Sequence, residues 1–251
     1  MPRSDSTPLV GARFVARPNR FIVRARLGDG SQVDAHLADP GRLRELLIPD
    51  AALLLRPAPE GSRRKTRFSV VLVRARESPR AWVSVVAGRA NDLAEPLLRN
   101  GEVDGVPATW ELRREVRYGR SRFDFRLQDD SGGTLWVEVK SVTFVEDGIA
   151  RFPDAPTVRG SRHVRELEQR ARAGDGAMVL FVAQRHDAQV VTPYDAIDPA
   201  FAEALRRARE TGVLLRAVRF RMKPDGGAAF LGPVPVVLSP TEAEGRMGVS
   251  C

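Results

Sequence analysis

Apolar and polar residues alternate with period two through FIVRARL, residues 21 to 27, and again through SQVDAHL, residues 31 to 37, with GDG between them. Such alternation marks a strand with one buried and one wet face, and a three-residue loop containing glycine joins two of them as a hairpin. The register that follows sets Phe21 opposite Leu37, Val23 opposite Ala35 and Ala25 opposite Val33, with Arg24 meeting Asp34 on the other face. AALLLR, RFSVVLVRA and AWVSVVA continue the strand pattern. Several short strands within 80 residues predict a small β-barrel, and a Greek-key barrel of the OB kind is a common platform for single-stranded nucleic acid.

The period then changes. NDLAEPLLRNGEV predicts a short helix with Asn91 as its cap, Gly101 as its stop and Pro96 inside its first turns. Three strands follow, TWELRREVRYG, SRFDFRLQ and TLWVEVKSV, then a helix from about Thr157 to Ala173 and the buried strand AMVLFVAQ. A last helix opens on Asp198 and Pro199 and ends near Gly212, before the strand VLLRAVRF. The order αβββαβαβ predicts a mixed, helix-covered sheet whose C-terminal strands run parallel.

One hairpin in this sheet concentrates charge. If DDSGG, residues 129 to 133, is a five-residue loop, Gln128 pairs with Thr134 and counting outward makes Asp124 the neighbour of Glu138. Phe123, Phe125 and Leu127 then face Val139, Val137 and Leu135, while Arg122, Asp124 and Arg126 share the other face with Lys140, Glu138 and Trp136. Two carboxylates with Cβ atoms about 5 Å apart repel unless a cation lies between them. A divalent metal, Mg²⁺ or Mn²⁺, suits hard oxygen ligands at Asp124 and Glu138. The alternative is a surface lattice in which Arg122, Arg126 and Lys140 neutralise both. Composition favours the metal: against 37 arginines there are three lysines, Lys65, Lys140 and Lys223. A compact ammonium, unlike a guanidinium, can sit over an attacking water and stabilise charge on a scissile phosphate.

The net charge of +8 points to a polyanionic partner, and its distribution is uneven. Residues 1 to 80 hold 16 Lys+Arg against 8 Asp+Glu, whereas the remainder holds 24 of each. Within the basic third, GSRRKTR places Arg63, Arg64, Lys65 and Arg67 on a loop that either contacts phosphates or is only solvated. TVRGSRHVREL sets Arg159, Arg162, His163 and Arg165 in the first turns of a helix with Val164 and Leu167 facing inward. Those arginines either lie along a phosphate backbone or form a solvated face. His163 as general base and Gln184 as a water-positioning group are secondary candidates. The segment EDGIARFPDAP, residues 146 to 156, reads as a long loop beside the charged strand, with Asp154 either an accessory carboxylate or a solvated one. Trp82, Trp110 and Trp136 read as core or half-buried positions.

Several classes are excluded on this reading. The only cysteine is Cys251, and His36, His163 and His186 lack ligand spacing, which argues against disulfides and thiolate zinc sites. No apolar run of about 18 residues occurs, and MPRSDSTPLV lacks the hydrophobic region of a secretory signal. A cytoplasmic protein with no membrane association is expected.

Asp124, thirteen residues, then Glu138-Val-Lys140 on adjacent strands after a helix resembles the D…(D/E)xK signature of the restriction-endonuclease-like, or PD-(D/E)XK, superfamily, with Phe123 where proline often stands. RPNRF, DGSQVDAHLADPGRL, LRREVRYGRSRFDF, VEVKSVTF, FPDAPTVRGSRHVREL, LFVAQR and IDPAF, in this order, resemble the sugar fermentation stimulation protein A family over nearly the whole chain. The resemblance implies an α/β protein with an N-terminal OB-like barrel (residues 1–88), a C-terminal mixed α/β restriction-endonuclease-like domain (89–238) and a C-terminal tail (239–251). It implies DNA binding without sequence preference, Asp124 and Glu138 as ligands of Mg²⁺ or Mn²⁺, and Lys140 as the catalytic lysine. Two departures stand out: NDLAEPLL puts Pro96 where the family helix has a glutamate, and HLADPG replaces HCPNTG after the third strand. Three functions follow as expectations: a metal-dependent DNA phosphodiesterase, a non-catalytic DNA-binding regulator of sugar metabolism that keeps the nuclease fold, and an RNA binder. Single- or double-stranded DNA, and a homodimer, are all compatible with the first two.

Overall fold

The computed structural model describes residues 7–39, 41–78, 81–119 and 121–248. The chain divides into two compact units. One runs up to Arg89 and takes in Gln184–Asp187 and Phe220–Phe230; the other comprises Ala90–Ala183, Ala188–Arg219 and the chain from Leu231.

The first unit is built from β1 (Val10–Asn19), β2 (Ile22–Leu27), β3 (Gln32–His36), β4 (Ala52–Pro57), β5 (Phe68–Arg74) and β6 (Trp82–Ser84). β1 pairs with β2 and β4, β2 with β3, β3 with β5 and β5 with β4, so five strands close into the OB barrel and β6 adds to β5. The β2–β3 register is the expected one, Val23↔Ala35, Arg24↔Asp34 and Ala25↔Val33. The GDG loop closes with Leu27 N–H donating to Ser31 O at 2.9 Å, and Gly30 takes φ +86°, which glycine adopts without strain. β1 is a strand the hydrophobic pattern does not announce. Only Ala12 and Phe14 are buried along it, and register shifts after Phe14 and Ala16 bend it so that one strand serves two neighbours. Between β3 and β4, Leu43, Leu46 and Leu47 turn inward and complete the barrel core.

The elements that follow are α1 (Arg89–Arg99), β7 (Glu111–Tyr118), β8 (Ser121–Gln128), β9 (Thr134–Val142), β10 (Val145–Glu146), β11 (Ile149–Phe152), α2 (Val158–Arg172), β12 (Gly176–Ala183), β13 (Val190–Pro193), α3 (Pro199–Glu210), β14 (Leu214–Met222), β15 (Ala228–Val234) and α4 (Pro240–Gly248); they make up the second unit except for the end of β14 and the start of β15, within Phe220–Phe230, and Arg89 at the start of α1. The main sheet has the order β15-β14-β12-β9-β8-β7. β7, β8 and β9 are antiparallel neighbours, whereas β9, β12 and β14 run parallel, as connections through α2 and α3 require. Val164 and Leu167 of α2 and Phe201 and Leu205 of α3 pack with Val179 and Phe181 of β12 in one core.

Both helix starts are tied by one residue. Asp198 caps α3 by accepting Phe201 N–H at 2.9 Å, and its other oxygen accepts Thr157 N–H at 2.7 Å. Thr157 in turn caps α2 by accepting Gly160 N–H at 3.0 Å.

Four differences from the expected elements have physical causes. α1 starts at Arg89, so Asn91 lies inside the helix and is not its cap. The expected loop 146–156 holds β11, which joins β10 and β13 in a three-stranded sheet; strands of two to four residues are too short to show a period. β15 forms after the last expected strand. Within the segment expected as a tail, α4 buries Ala243 against Ile149, Val190 and Val237.

Because Asp198 is buried and serves two helix starts, Asp198→Ala should destabilise the protein by about 1–3 kcal/mol, read as a lower urea midpoint at pH 7. A change under about 0.5 kcal/mol would show that neither helix start depends on it.

Candidate active site

The hairpin β8–β9 forms with the expected register from Gln128↔Thr134 to Phe125↔Val137. Asp124 is not the ladder partner of Glu138. Its carboxylate does what a partner strand's carbonyl would do: Oδ2 accepts Val139 N–H at 2.7 Å, and Oδ1 accepts the Asn91 amide of α1 at 2.7 Å. Phe123, expected opposite Val139, instead packs its ring on Trp136 at 5.5 Å and on His163 at 5.9 Å.

Glu138 and Lys140 are buried, 5% and 9% exposed, with apolar Val179 and Phe181 of β12 beside them in register. Burying such charges demands direct partners. Lys140 Nζ lies 2.8 Å from Glu138 Oε1, and His163 Nδ1 of α2 lies 2.5 Å from the same oxygen. Glu138 Oε2 is also buried, yet has no hydrogen-bond partner among the described residues. Burial draws the Glu138 carboxyl upward, but the Lys140 charge and the His163 hydrogen bond outweigh it and hold the group below its ordinary range. Asp124 goes the other way. Burial, and then the negative charge of Glu138, push it up to about 6 against the bonds from Val139 and Asn91 and the charge of Lys140. Two neighbouring carboxyls are therefore driven apart in proton affinity by their surroundings.

Of the alternative lattice, Lys140 does pair with Glu138, but the two arginines are engaged elsewhere. Arg122 pairs with Glu115 at 2.6 Å. Arg126 donates to Gln128 at 3.1 Å and lies over the Trp136 ring at 5.8 Å. On the helix side, Glu95 is held by Arg99 and Arg114, and Pro96 is exposed, so Asn91 is the α1 side chain that reaches the carboxylates. No group of three acidic, histidine or cysteine residues arranged for a metal occurs among the described residues, so Asp154 does not join Asp124 and Glu138. The donor set still fits a hard divalent ion. Two carboxylates leave room for the several waters that Mg²⁺ or Mn²⁺ retains, and a buried, unpartnered Oε2 is a lone pair in want of a cation.

His163 has its second nitrogen occupied too: Arg159 Nε–H donates to Nε2 at 3.4 Å. A guanidinium only donates, so Nε2 accepts and Nδ1 carries the proton that points at Glu138. The expected helix arginines thus divide. Arg159 joins the site through His163, while Arg162 and Arg165 are exposed on α2. Arg63, Arg64, Lys65 and Arg67 are exposed on the β4–β5 loop, where Arg64 and Arg67 line a hollow of about 550 Å³ together with Val33 and Phe68. Gln184 is buried directly after β12.

Asn91 is the site residue that sequence reading misplaced. A signal existed: positions 91, 94 and 98 share a helical face, and Ala94 and Leu98 are buried. A polar residue on that stripe needs a buried partner, and Asp124 provides it.

Two family models match the chain. One described as sugar fermentation stimulation protein RE domain covers residues 88–226, and one described as SfsA N-terminal OB domain covers residues 15–85. The sugar fermentation stimulation protein homolog of Moorella thermoacetica is 42% identical over 231 residues, 92% of this chain and 97% of its own length. That of Symbiobacterium thermophilum is 41% identical over 241 residues, 91% of this chain and 94% of its own. Among solved structures, Pyrococcus furiosus SfsA in complex with Ca²⁺ matches with a TM-score of 0.81 at 29% identity, covering 92% of this chain and 96% of that one.

The raised Asp124 value has a thermodynamic consequence. A carboxyl with a folded-state pKa of about 6 instead of 3.8 holds its proton more tightly in the folded chain than in the unfolded one. Its contribution therefore stabilises the metal-free protein below about pH 4 and is lost as pH rises through 6, a full swing on the order of 3 kcal/mol. Urea unfolding in EDTA at pH 5 and pH 7.5 should show a stability loss that is absent in Asp124→Asn. Equal pH dependence in both proteins would remove Asp124 as the cause.

Proposed function

The chain belongs to the sugar fermentation stimulation protein family, and on that footing we propose that it binds DNA largely without sequence preference and hydrolyses phosphodiesters with a divalent metal. The observation that carries this reading is Glu138: one carboxylate oxygen is engaged by Lys140 and His163, the other is buried with no hydrogen-bond partner among the described residues, and its charge acts on Asp124. The Ca²⁺ complex of the Pyrococcus furiosus relative supports a hard cation in this fold.

In this reading Asp124 and Glu138 hold Mg²⁺ or Mn²⁺. The ion, when bound, lowers the pKa of water and offsets charge developing on the phosphate. The protein's own groups do the positioning. Val139 N–H and the Asn91 amide fix the plane of the Asp124 carboxylate. The His163 Nδ1–H, with its tautomer set by Arg159, holds Glu138 Oε1, so that Oε2 would be the oxygen available to a metal. Lys140 spends one donor on Glu138 and has two N–H groups left for the attacking water or a phosphate oxygen. The basic barrel supplies non-specific attraction for the strand through counterion release.

Purified protein incubated with single- and double-stranded DNA and Mn²⁺ should cleave, and Lys140→Ala should lose on the order of 10²-fold or more in rate. Equal cleavage by both would assign the activity to a contaminant. DNA binding by the parent protein with no cleavage under any divalent ion would favour the non-catalytic regulator, for which the replacement of a helix glutamate by Pro96 is the supporting observation.

His163 acts through Glu138, so metal affinity is the relevant readout. By calorimetry with Mn²⁺ alone, His163→Ala should weaken binding about 10–100-fold, and His163→Asn, whose amide N–H can replace Nδ1–H, should restore most of it. Identical affinities in all three proteins would make His163 a core residue without a role at the site.

A further inference from the structure

Two of the quoted sequence segments are left unused by the site above: RPNRF, at the turn from β1 to β2, and ADPGRL, in the connection from β3 to β4. The barrel brings them together. Arg17, Arg20, Arg42, Arg44 and Leu47 line one cleft of about 570 Å³. The Arg17 guanidinium locks its two sides, donating to Arg42 O at 2.6 Å and to Arg20 O at 2.9 Å. Leu43 between Arg42 and Arg44 takes φ +48°, a conformation costly for a branched side chain, and is almost fully buried in the barrel core. That anchor holds the two flanking arginines at the surface. Both are exposed, as is Arg20, whose guanidinium stacks on the ring of Phe21 at 4.5 Å; Phe21 itself is 42% exposed.

We propose that this cleft is a docking site for single-stranded DNA, with Arg20, Arg42 and Arg44 neutralising successive phosphates and the exposed Phe21 ring stacking on a base. The inference deepens the DNA-binding half of the proposed function and does not depend on hydrolysis. Two features fit a strand better than a small anion. Three exposed arginines from two separate chain segments line the same cleft, more positive charge than one small anion needs. The flat guanidinium-on-ring platform presents a π-face that any base can use. The Arg17 bonds to the Arg20 and Arg42 carbonyls hold those two backbone positions, so less freedom is lost there when a strand binds.

The test is fluorescence anisotropy of a labelled oligothymidylate in EDTA, in a Lys140→Ala background, across a salt series. The triple variant Arg20→Ala, Arg42→Ala, Arg44→Ala should bind at least about 30-fold more weakly at low salt, and the slope of log affinity against log salt should fall by about 2. Phe21→Ala should lose about 5–20-fold with the slope unchanged. A second quadruple variant, Arg63→Ala, Arg64→Ala, Lys65→Ala, Arg67→Ala, serves as comparison. Thermal melts must show the barrel intact in each, and since the substituted side chains are exposed, they should. Unchanged affinity and slope in the triple variant would overturn the proposal, as would full competition by millimolar inorganic phosphate, which would make the cleft a small-anion site. Because binding is read without metal in a lysine variant, failure here leaves the hydrolase reading standing, and failure of cleavage leaves this one.

Discussion

A carboxylate that cannot reach water has to be compensated where it sits, and Glu138 imposes that constraint on the second unit. Its strand lies between antiparallel β8 and parallel β12 and is buried along nearly its whole length, so the ordinary remedy of solvation is closed. The structure answers with one ammonium and one imidazole on a single oxygen, and the second oxygen has no donor among the described residues. Asp124 faces the same desolvation with neutral donors only and with Glu138 as an electrostatic neighbour, and its proton affinity rises accordingly. The pair is half compensated. In the proposed reading that deficit is what a divalent cation makes good.

The rest of the second unit serves this arrangement. The hairpin loop at Asp129 to Gly133 sets the register, and the ladder then gives way at Asp124 so that a side chain, not a main-chain carbonyl, meets Val139. α1 contributes Asn91 through its buried stripe, and α2 contributes His163. The start of α2 is itself pinned by Thr157 and Asp198, so the imidazole comes from a helix end held at two points. Each supporting contact is short-range and directional, whereas the apolar core beneath fixes only the approximate placement of the elements.

The first unit solves a different problem. Its barrel closes a sheet with no long free edge and carries the arginine surplus on its loops, some on a plain solvated loop and some on turns tied by Arg17. Within the second unit, the two arginines that flank Asp124 on β8 are engaged by other partners, Arg122 by Glu115 and Arg126 by Gln128.

Much of this was written in the chain. Period-two alternation located four of the five barrel strands and the β2–β3 register, and the turn residues of DDSGG located the hairpin, because both are local rules: side chains alternate every residue and glycine is needed where φ is positive. The scarcity of lysine singled out Lys140, and Asp198 with Pro199 marked a helix start. Local rules do not say where a strand must bend or how a ladder ends. β1 escaped notice because bulges, set by its two neighbours, break its period. That Asp124 replaces a backbone acceptor, that Asn91 and His163 reach the carboxylates from separate helices, and that Arg17 bridges two distant turns all depend on residues brought together from 15 to 33 positions apart. Only the packed chain decides such meetings, since hydrogen-bond geometry over long sequence separation is fixed by the core and not by the neighbours in sequence.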